Sequence, residues 1–156
     1  IVRVLLDEVP LPRIIFHCFS GGIDLVQTCA LHGWYMSFAG NLTFKNAEPL
    51  RRAAIAAPLP LLLTETDSPY LAPHPHRGKP NTPSLVAVTT AFLAELRTMS
   101  TVDMAALISA NARRAFALPK PRSEIPTDAA VPSEVSSAPD IDVAEDLAEP
   151  EREART

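Results

Sequence analysis

Two carboxylates, Glu65 and Asp67, stand at the end of an uninterrupted apolar run in LLLTETDSPYLAPHPHRGKPN, residues 61–81, and a loop of prolines, histidines and an arginine follows them. A solvated strand spreads its charges along one face, so this abrupt change from apolar to acidic marks the end of a buried strand. Carboxylates this close in a low-dielectric site repel each other unless a proton or a cation sits beside them, and a divalent metal removes the conflict. His17 ends a second apolar run, in PRIIFHCFSGG at residues 12–22, and offers an imidazole nitrogen to such an ion. Each group also has a plainer reading. His17 could be a hydrogen-bonded residue at a strand end, and Glu65 and Asp67 could cap the following loop or pair with Arg77, with Asp67-Ser68-Pro69 an ordinary turn start. His74 and His76 have the H-x-H spacing of a ligand pair, but in a proline-rich loop they read as exposed polar residues. Arg77 and Lys79, with Lys45 after the preceding strand, either bring cationic donors to an anionic substrate such as a phosphodiester or remain solvated loop charges.

The elements that must position these groups follow from periodicity. Ile14, Ile15 and Phe16 predict a strand ended by Gly21 and Gly22, with Ile15, His17 and Phe19 on one face. Ile23, Leu25, Val26, Cys29 and Ala30 have helical spacing, closed by Gly33. WYMSFAG, residues 34–40, predicts a second strand. Asn46 is positioned to cap a helix through AEPLRRAAIAA, with Pro49 in its first turn. The run PLLLTETD then forms a third strand, on which Leu61, Leu63, Glu65 and Asp67 share a face. Thr82 and Pro83 start a helix with Leu85, Thr89, Phe92 and Leu96 on one side. Ser100 with Asp103 resembles a capping box opening a last helix that runs out near Phe116. Strands alternating with helices, without hairpin signals, predict a parallel sheet buried on both faces, with functional residues at the carboxyl ends of its strands. Three strands are few for such a sheet, so the pattern predicts part of an α/β barrel, or of an open α/β sheet, whose other strands lie elsewhere.

Charge divides the chain. Residues 1–118 carry ten Lys/Arg against eight Asp/Glu, whereas residues 119–156 carry four against ten, together with six prolines and no aromatic residue. The second segment has too little apolar surface to offset its ordering entropy and reads as a disordered acidic tail. The near-neutral body argues against an extensive basic groove for long duplexes and suits a small site for a phosphate end. Cys18 and Cys29 are too few and too close for a disulfide framework and show no CxxC zinc pattern, so free thiols in a reducing compartment, the cytoplasm, are expected. The apolar stretches are short and broken by proline, so no membrane span is expected. The chain starts at Ile1, and IVRVLLDEVP reads as the end of a helix, as expected for a piece of something larger.

FHCFSGG at 16–22, YMSFAGNLTFKNA at 35–47, the run at 61–83 and ISANARRAF at 108–116 occur in the order and spacing of the TatD family of metal-dependent deoxyribonucleases. Residues 1–118 resemble the C-terminal portion of that family's barrel. The resemblance implies a partial TIM-type (β/α) barrel of the metal-dependent hydrolase superfamily, comprising the last three strands and their helices. It implies that His17 is a metal ligand, that Asp67 is a metal ligand and proton acceptor from attacking water, and that Glu65 supports the catalytic site. It also implies divalent metal cofactors, with Mg²⁺ first and Zn²⁺ or Mn²⁺ as alternatives, and a DNA substrate presented as single strands or ends. Arg77 and Lys45 are the expected substrate contacts. The family's remaining ligands belong to strands of a missing N-terminal barrel half, which a complete site needs. Thr64 stands where the family more usually has an apolar residue. Two other readings are a superfamily hydrolase acting on another ester or amide, and a non-catalytic fragment that persists by docking with a partner.

Overall fold

The computed structural model describes residues 13–119. The acidic tail expected beyond them, and the run before Arg13, lie outside the described residues. Three parallel strands, β1 (Ile15–Phe16), β2 (Tyr35–Phe38) and β3 (Leu62–Thr64), form one sheet in the order β1-β2-β3. Ile15 sits opposite Tyr35, and Ser37 opposite Leu63. Four helices alternate with and follow the strands: α1 (Ile23–His32), α2 (Glu48–Ala56), α3 (Val86–Leu96) and α4 (Thr101–Ala115). The architecture is the partial parallel α/β barrel that the alternation predicted.

β2 has a partner on each side, and all four of its residues are buried. Its period-two alternation sends Met36 and Phe38 to one face and Tyr35 and Ser37 to the other. The Met36/Phe38 face meets the helices, and Val26 and Cys29 of α1, Ala53 and Ala54 of α2, Leu93 of α3 and Met104 of α4 join it in the main core. The opposite face carries a smaller cluster, in which Tyr35 and Leu63 pack against Ala115 at the end of α4.

Local capping follows the sequence in part. Gly33 closes α1 at φ 69°, a left-handed conformation that glycine adopts at little cost. Ser100 caps α4: its hydroxyl accepts the Asp103 backbone N–H at 3.0 Å and donates to the Asp103 carboxylate at 2.6 Å. Arg97, at the end of α3, donates to the carbonyls of Ala54, Ile55 and Ala57, satisfying groups that the end of α2 leaves without helical partners. Asn111 on α4 is fully buried and donates to the carbonyls of Leu59 and Leu62, each at 2.7 Å, which locks that helix to the entry of β3.

Four expectations are corrected. The strands are shorter than the apolar runs, so Leu61 belongs to a 3₁₀ turn (Leu59–Leu61) and Glu65 and Asp67 lie beyond the end of β3. Phe19 does not share a face with Ile15: Cys18 adopts φ 49°, which breaks the alternation and sends the Phe19 ring into the main core, 5.4 Å from that of Phe38. Asn46 does not cap α2. The Ala47 N–H is used in a turn to the Phe44 carbonyl, and the helix starts one residue later with Ala47 at the cap position. On α3 the buried residues are Thr89, Thr90, Leu93 and Ala94, a stripe of smaller side chains that lets the helix approach β3, while Phe92 is half-buried. Thr64 is explained by the same approach, because its hydroxyl lies 2.9 Å from that of Thr90.

Candidate metal centre

The site forms where β1 and β3 end at the same edge of the sheet, on either flank of β2. β1 stops at Phe16, so His17 is the first residue past its carboxyl end, and β3 stops at Thr64, so Glu65 is the first past the other. Both segments stay tied to β2 after regular pairing ends: Phe19 N–H donates to the Ser37 carbonyl at 2.8 Å and Glu65 N–H to the Phe38 carbonyl at 3.0 Å. The Glu65 carboxylate therefore faces back across the sheet. Its Oε1 accepts the Cys18 backbone N–H at 3.1 Å and lies 3.0 Å from His17 Nε2. The left-handed turn at Cys18 aims that N–H at Glu65, an interaction that sequence periodicity does not reveal.

Asp67 completes the group. It too is left-handed, at φ 58°, so it reaches the site by a turn of the chain and not as the next pleat of a strand. One ligand atom from each of His17, Glu65 and Asp67 lies within 4.8 Å of the others. Asn81, which sequence reading did not single out, holds this turn. Its buried side-chain amide donates to the carbonyls of Thr66 at 2.6 Å and Tyr70 at 2.7 Å, on either side of Asp67, while its own N–H donates to the Pro69 carbonyl at 2.9 Å. An asparagine after Lys-Pro and before Thr-Pro gives only a faint signal of that role.

One imidazole nitrogen and two carboxylates form a donor set suited to Mg²⁺, Mn²⁺ or Zn²⁺. The electrostatics agree with a cation site. The Cys18 thiol is pushed up to about 11, by burial first and then by the negative charges of Asp67 and Glu65. The alternative pairing with Arg77 is not formed: among the described residues Glu65 lies against the His17 imidazole, and the Arg–carboxylate ion pair is Glu48–Arg51. His17 itself is largely open to solvent, with its side chain 68% exposed, while Glu65 is 14% exposed, so the carboxylate is the anchored member. A cavity of about 180 Å³ opens beside them on the Tyr35/Leu63 face, bounded by Ile15, His17, Ser37, Glu65 and Phe116.

The other candidates lie apart from this group. His74 and His76 are exposed and do not join the cluster; the His74 backbone N–H donates to Thr43 Oγ1 at 2.8 Å, so their loop is held by its main chain. That loop also abuts Gly40, where a Cβ would lie 2.1 Å from the Leu71 carbonyl oxygen, which requires glycine there. Arg77 lies with its guanidinium carbon 4.2 Å from the centroid of the Phe44 ring. Lys45 is exposed beside Phe44, in a loop stiffened by Arg51, which donates to the carbonyls of Phe44 at 2.8 Å and of Leu42 and Lys45 at 3.3 Å. Cys18 and Cys29 are free thiols. No single helix among the described residues is long and apolar enough to cross a membrane.

Residues 1–117 match the family model described as TatD related DNase. The chain is 41% identical over 118 residues to an uncharacterised metal-dependent hydrolase named TatD from Mycobacterium tuberculosis, covering 76% of this chain and 45% of the relative. It is 43% identical over 102 residues to the uncharacterised metal-dependent hydrolase YcfH of Escherichia coli, covering 65% and 38%. Among solved structures it resembles YJJV, a TatD homologue from Escherichia coli, with a TM-score of 0.62 and 30% identity over 67% of this chain and 40% of that one. A TatD-family hydrolase from Entamoeba histolytica shares the fold at a TM-score of 0.58 and 18% identity. The chain thus spans less than half the length of the relatives it matches.

Proposed function

The chain belongs to the family of TatD-related DNases, and from that membership together with the convergence of His17, Glu65 and Asp67 we propose that it carries part of the active site of a metal-dependent hydrolase that cleaves phosphodiester bonds in DNA. The observation behind this reading is the approach of three ligand atoms from two different strand ends to within 4.8 Å of one another. His17 and Asp67 would hold the cation, with Mg²⁺ the first choice and Mn²⁺ or Zn²⁺ compatible with the same donors. A divalent ion bound there supplies Lewis acidity, polarising a phosphoryl oxygen and bringing the pKa of water towards neutrality. Asp67 takes the proton of the attacking water on its carboxylate. Glu65, fixed by the Cys18 N–H, orients the His17 imidazole and adds negative charge that favours the cation. Arg77 and Lys45, on neighbouring loops, bind the phosphates of a single strand or a strand end. The free thiols Cys18 and Cys29 suit a cytoplasmic setting.

His17 and Asp67 are two ligands where catalytic metal sites typically use three or more protein groups, so full activity is expected only when further ligands from the rest of a barrel join them. The test is cleavage of end-labelled single-stranded DNA, in Mg²⁺ or in chelator, by this chain and by a longer protein that completes the barrel. Metal-dependent cutting by the longer protein, lost by at least about 100-fold in Asp67→Asn, is the expected result. Wild-type turnover by Asp67→Asn would refute the site. Cutting only of uncharged esters would move the substrate away from DNA.

A further inference from the structure

We propose that the groove lined by Ser20, Asn41, Phe44, Asn46 and Leu50 is a nucleobase-binding subsite, which receives the planar ring of a nucleotide adjoining the phosphodiester held at the metal centre. The inference rests on the phosphodiesterase reading for the identity of the ligand, and on the groove itself for its shape and chemistry. The groove has a volume of about 300 Å³, at the small end of ligand pockets and sized for one ring system.

Its position is set by the elements already described. Ser20 lies on the segment that leaves the end of β1 just after His17, and Asn41, Phe44 and Asn46 lie on the segment that leaves the end of β2. The groove therefore opens on the carboxyl-end side of the sheet, as the metal centre does. Its walls combine the two kinds of surface that a base requires. Phe44 and Leu50 are apolar, and an aromatic ring provides a stacking platform. Asn46 presents an amide and Ser20 a hydroxyl, which can both donate to and accept from a base edge, while Asn41 lines the groove with its Oδ1 buried and without a hydrogen-bond partner.

The aromatic wall is built to keep its place. Arg51 donates to the Phe44 carbonyl at 2.8 Å and to those of Leu42 and Lys45 at 3.3 Å, and Arg77 lies over the Phe44 ring at 4.2 Å. A half-buried phenylalanine whose backbone is tied by one arginine and whose ring lies under another is not explained by core packing alone, because the main core reaches the groove through Leu50 and does not include Phe44. Arg77 thus has two uses at once: it orders the ring through its guanidinium face and leaves its outward N–H groups for phosphate.

The experiment titrates the full chain, in chelator, with dAMP and separately with 2-deoxyribose 5-phosphate, following the side-chain amide signals of ¹⁵N-labelled protein. dAMP should shift the Asn41 and Asn46 signals and the sugar phosphate should not. Phe44→Leu, which keeps apolar volume but removes the ring face, should weaken dAMP binding about tenfold, whereas Phe44→Tyr should retain it. Equal shifts from both probes, or unweakened dAMP binding by Phe44→Leu, overturn the subsite. Because no metal is present, the result separates from the nuclease reading: base-dependent shifts without DNA cleavage by the completed barrel leave the subsite standing and remove the nuclease, and cleavage with base-independent binding removes the subsite alone.

Discussion

The two faces of the sheet differ in how completely the described residues cover them. On the Met36/Phe38 face, side chains from all four helices close over the strands, and Met36, Phe38 and Leu62 are fully buried. On the Tyr35/Leu63 face the cover among the described residues consists of the C-terminal part of α4, with a cavity beside His17 and Glu65. The helix-covered face is a finished core in its own right, while the face that carries the metal centre has a floor and one wall. Stability and chemistry therefore reside on opposite sides of one short sheet, and they should respond separately to substitution.

The largest effect that exposes this division is expected from Phe38→Ala. Truncating a fully buried ring in the finished core should cost about 3–5 kcal/mol in urea unfolding. Leu63→Ala, on the other face, should cost only about 2 kcal/mol, because the cavity beside it allows neighbours to relax; a loss as large as that of Phe38→Ala would mean the two faces are equally packed. Asn81→Ala should leave the Phe38 side intact and loosen the Asp67 turn, lowering Mn²⁺ affinity about tenfold in a direct titration. Unchanged affinity would show that the turn holds its shape without the amide.

The smallest effect is an alkaline one. Burial pushes the Cys29 thiol, in the main core, up to about 11 from an ordinary value of 9.0. Below the ordinary value the thiol is neutral in both folded and unfolded chains, and its contribution to stability is complete. Between the two values the unfolded chain releases the proton first, so stability falls as pH rises. Cys29→Ala should remove on the order of 1 kcal/mol of that alkaline loss. A wild-type stability that stays level from pH 9 to pH 11 would contradict the burial of this thiol.

Much of the main core could be read from the sequence, because the aromatic-rich run WYMSFAG and the helical spacing around Val26 and Cys29 report burial that the same residues enforce locally. The Ser100–Asp103 cap was readable for the same reason, since donor and acceptor lie within one turn. His17, Glu65 and Asp67 could be named from residue type and from the resemblance, but not their geometry. Cys18 and Asp67 are left-handed without being glycine, and hydrogen bonds to distant residues help to hold them so; the Cys18 N–H reaches a carboxylate 47 positions away. Extending the alternation of β3 through Asp67 therefore named residues that do converge, but on the wrong geometry. Asn81 was not singled out because its partners, Thr66 and Tyr70, lie across a loop that no periodicity describes.

The left-handed backbone at Asp67 has a bearing on directed evolution. For a side-chain-bearing residue that conformation costs about 1 kcal/mol or more, least for asparagine and aspartate, and glycine escapes it. A library selected for folding alone should therefore enrich Gly or Asn at position 67, gaining thermal tolerance while losing the carboxylate. Selection on cleavage should restore Asp there, so the two regimes would pull this one codon in opposite directions.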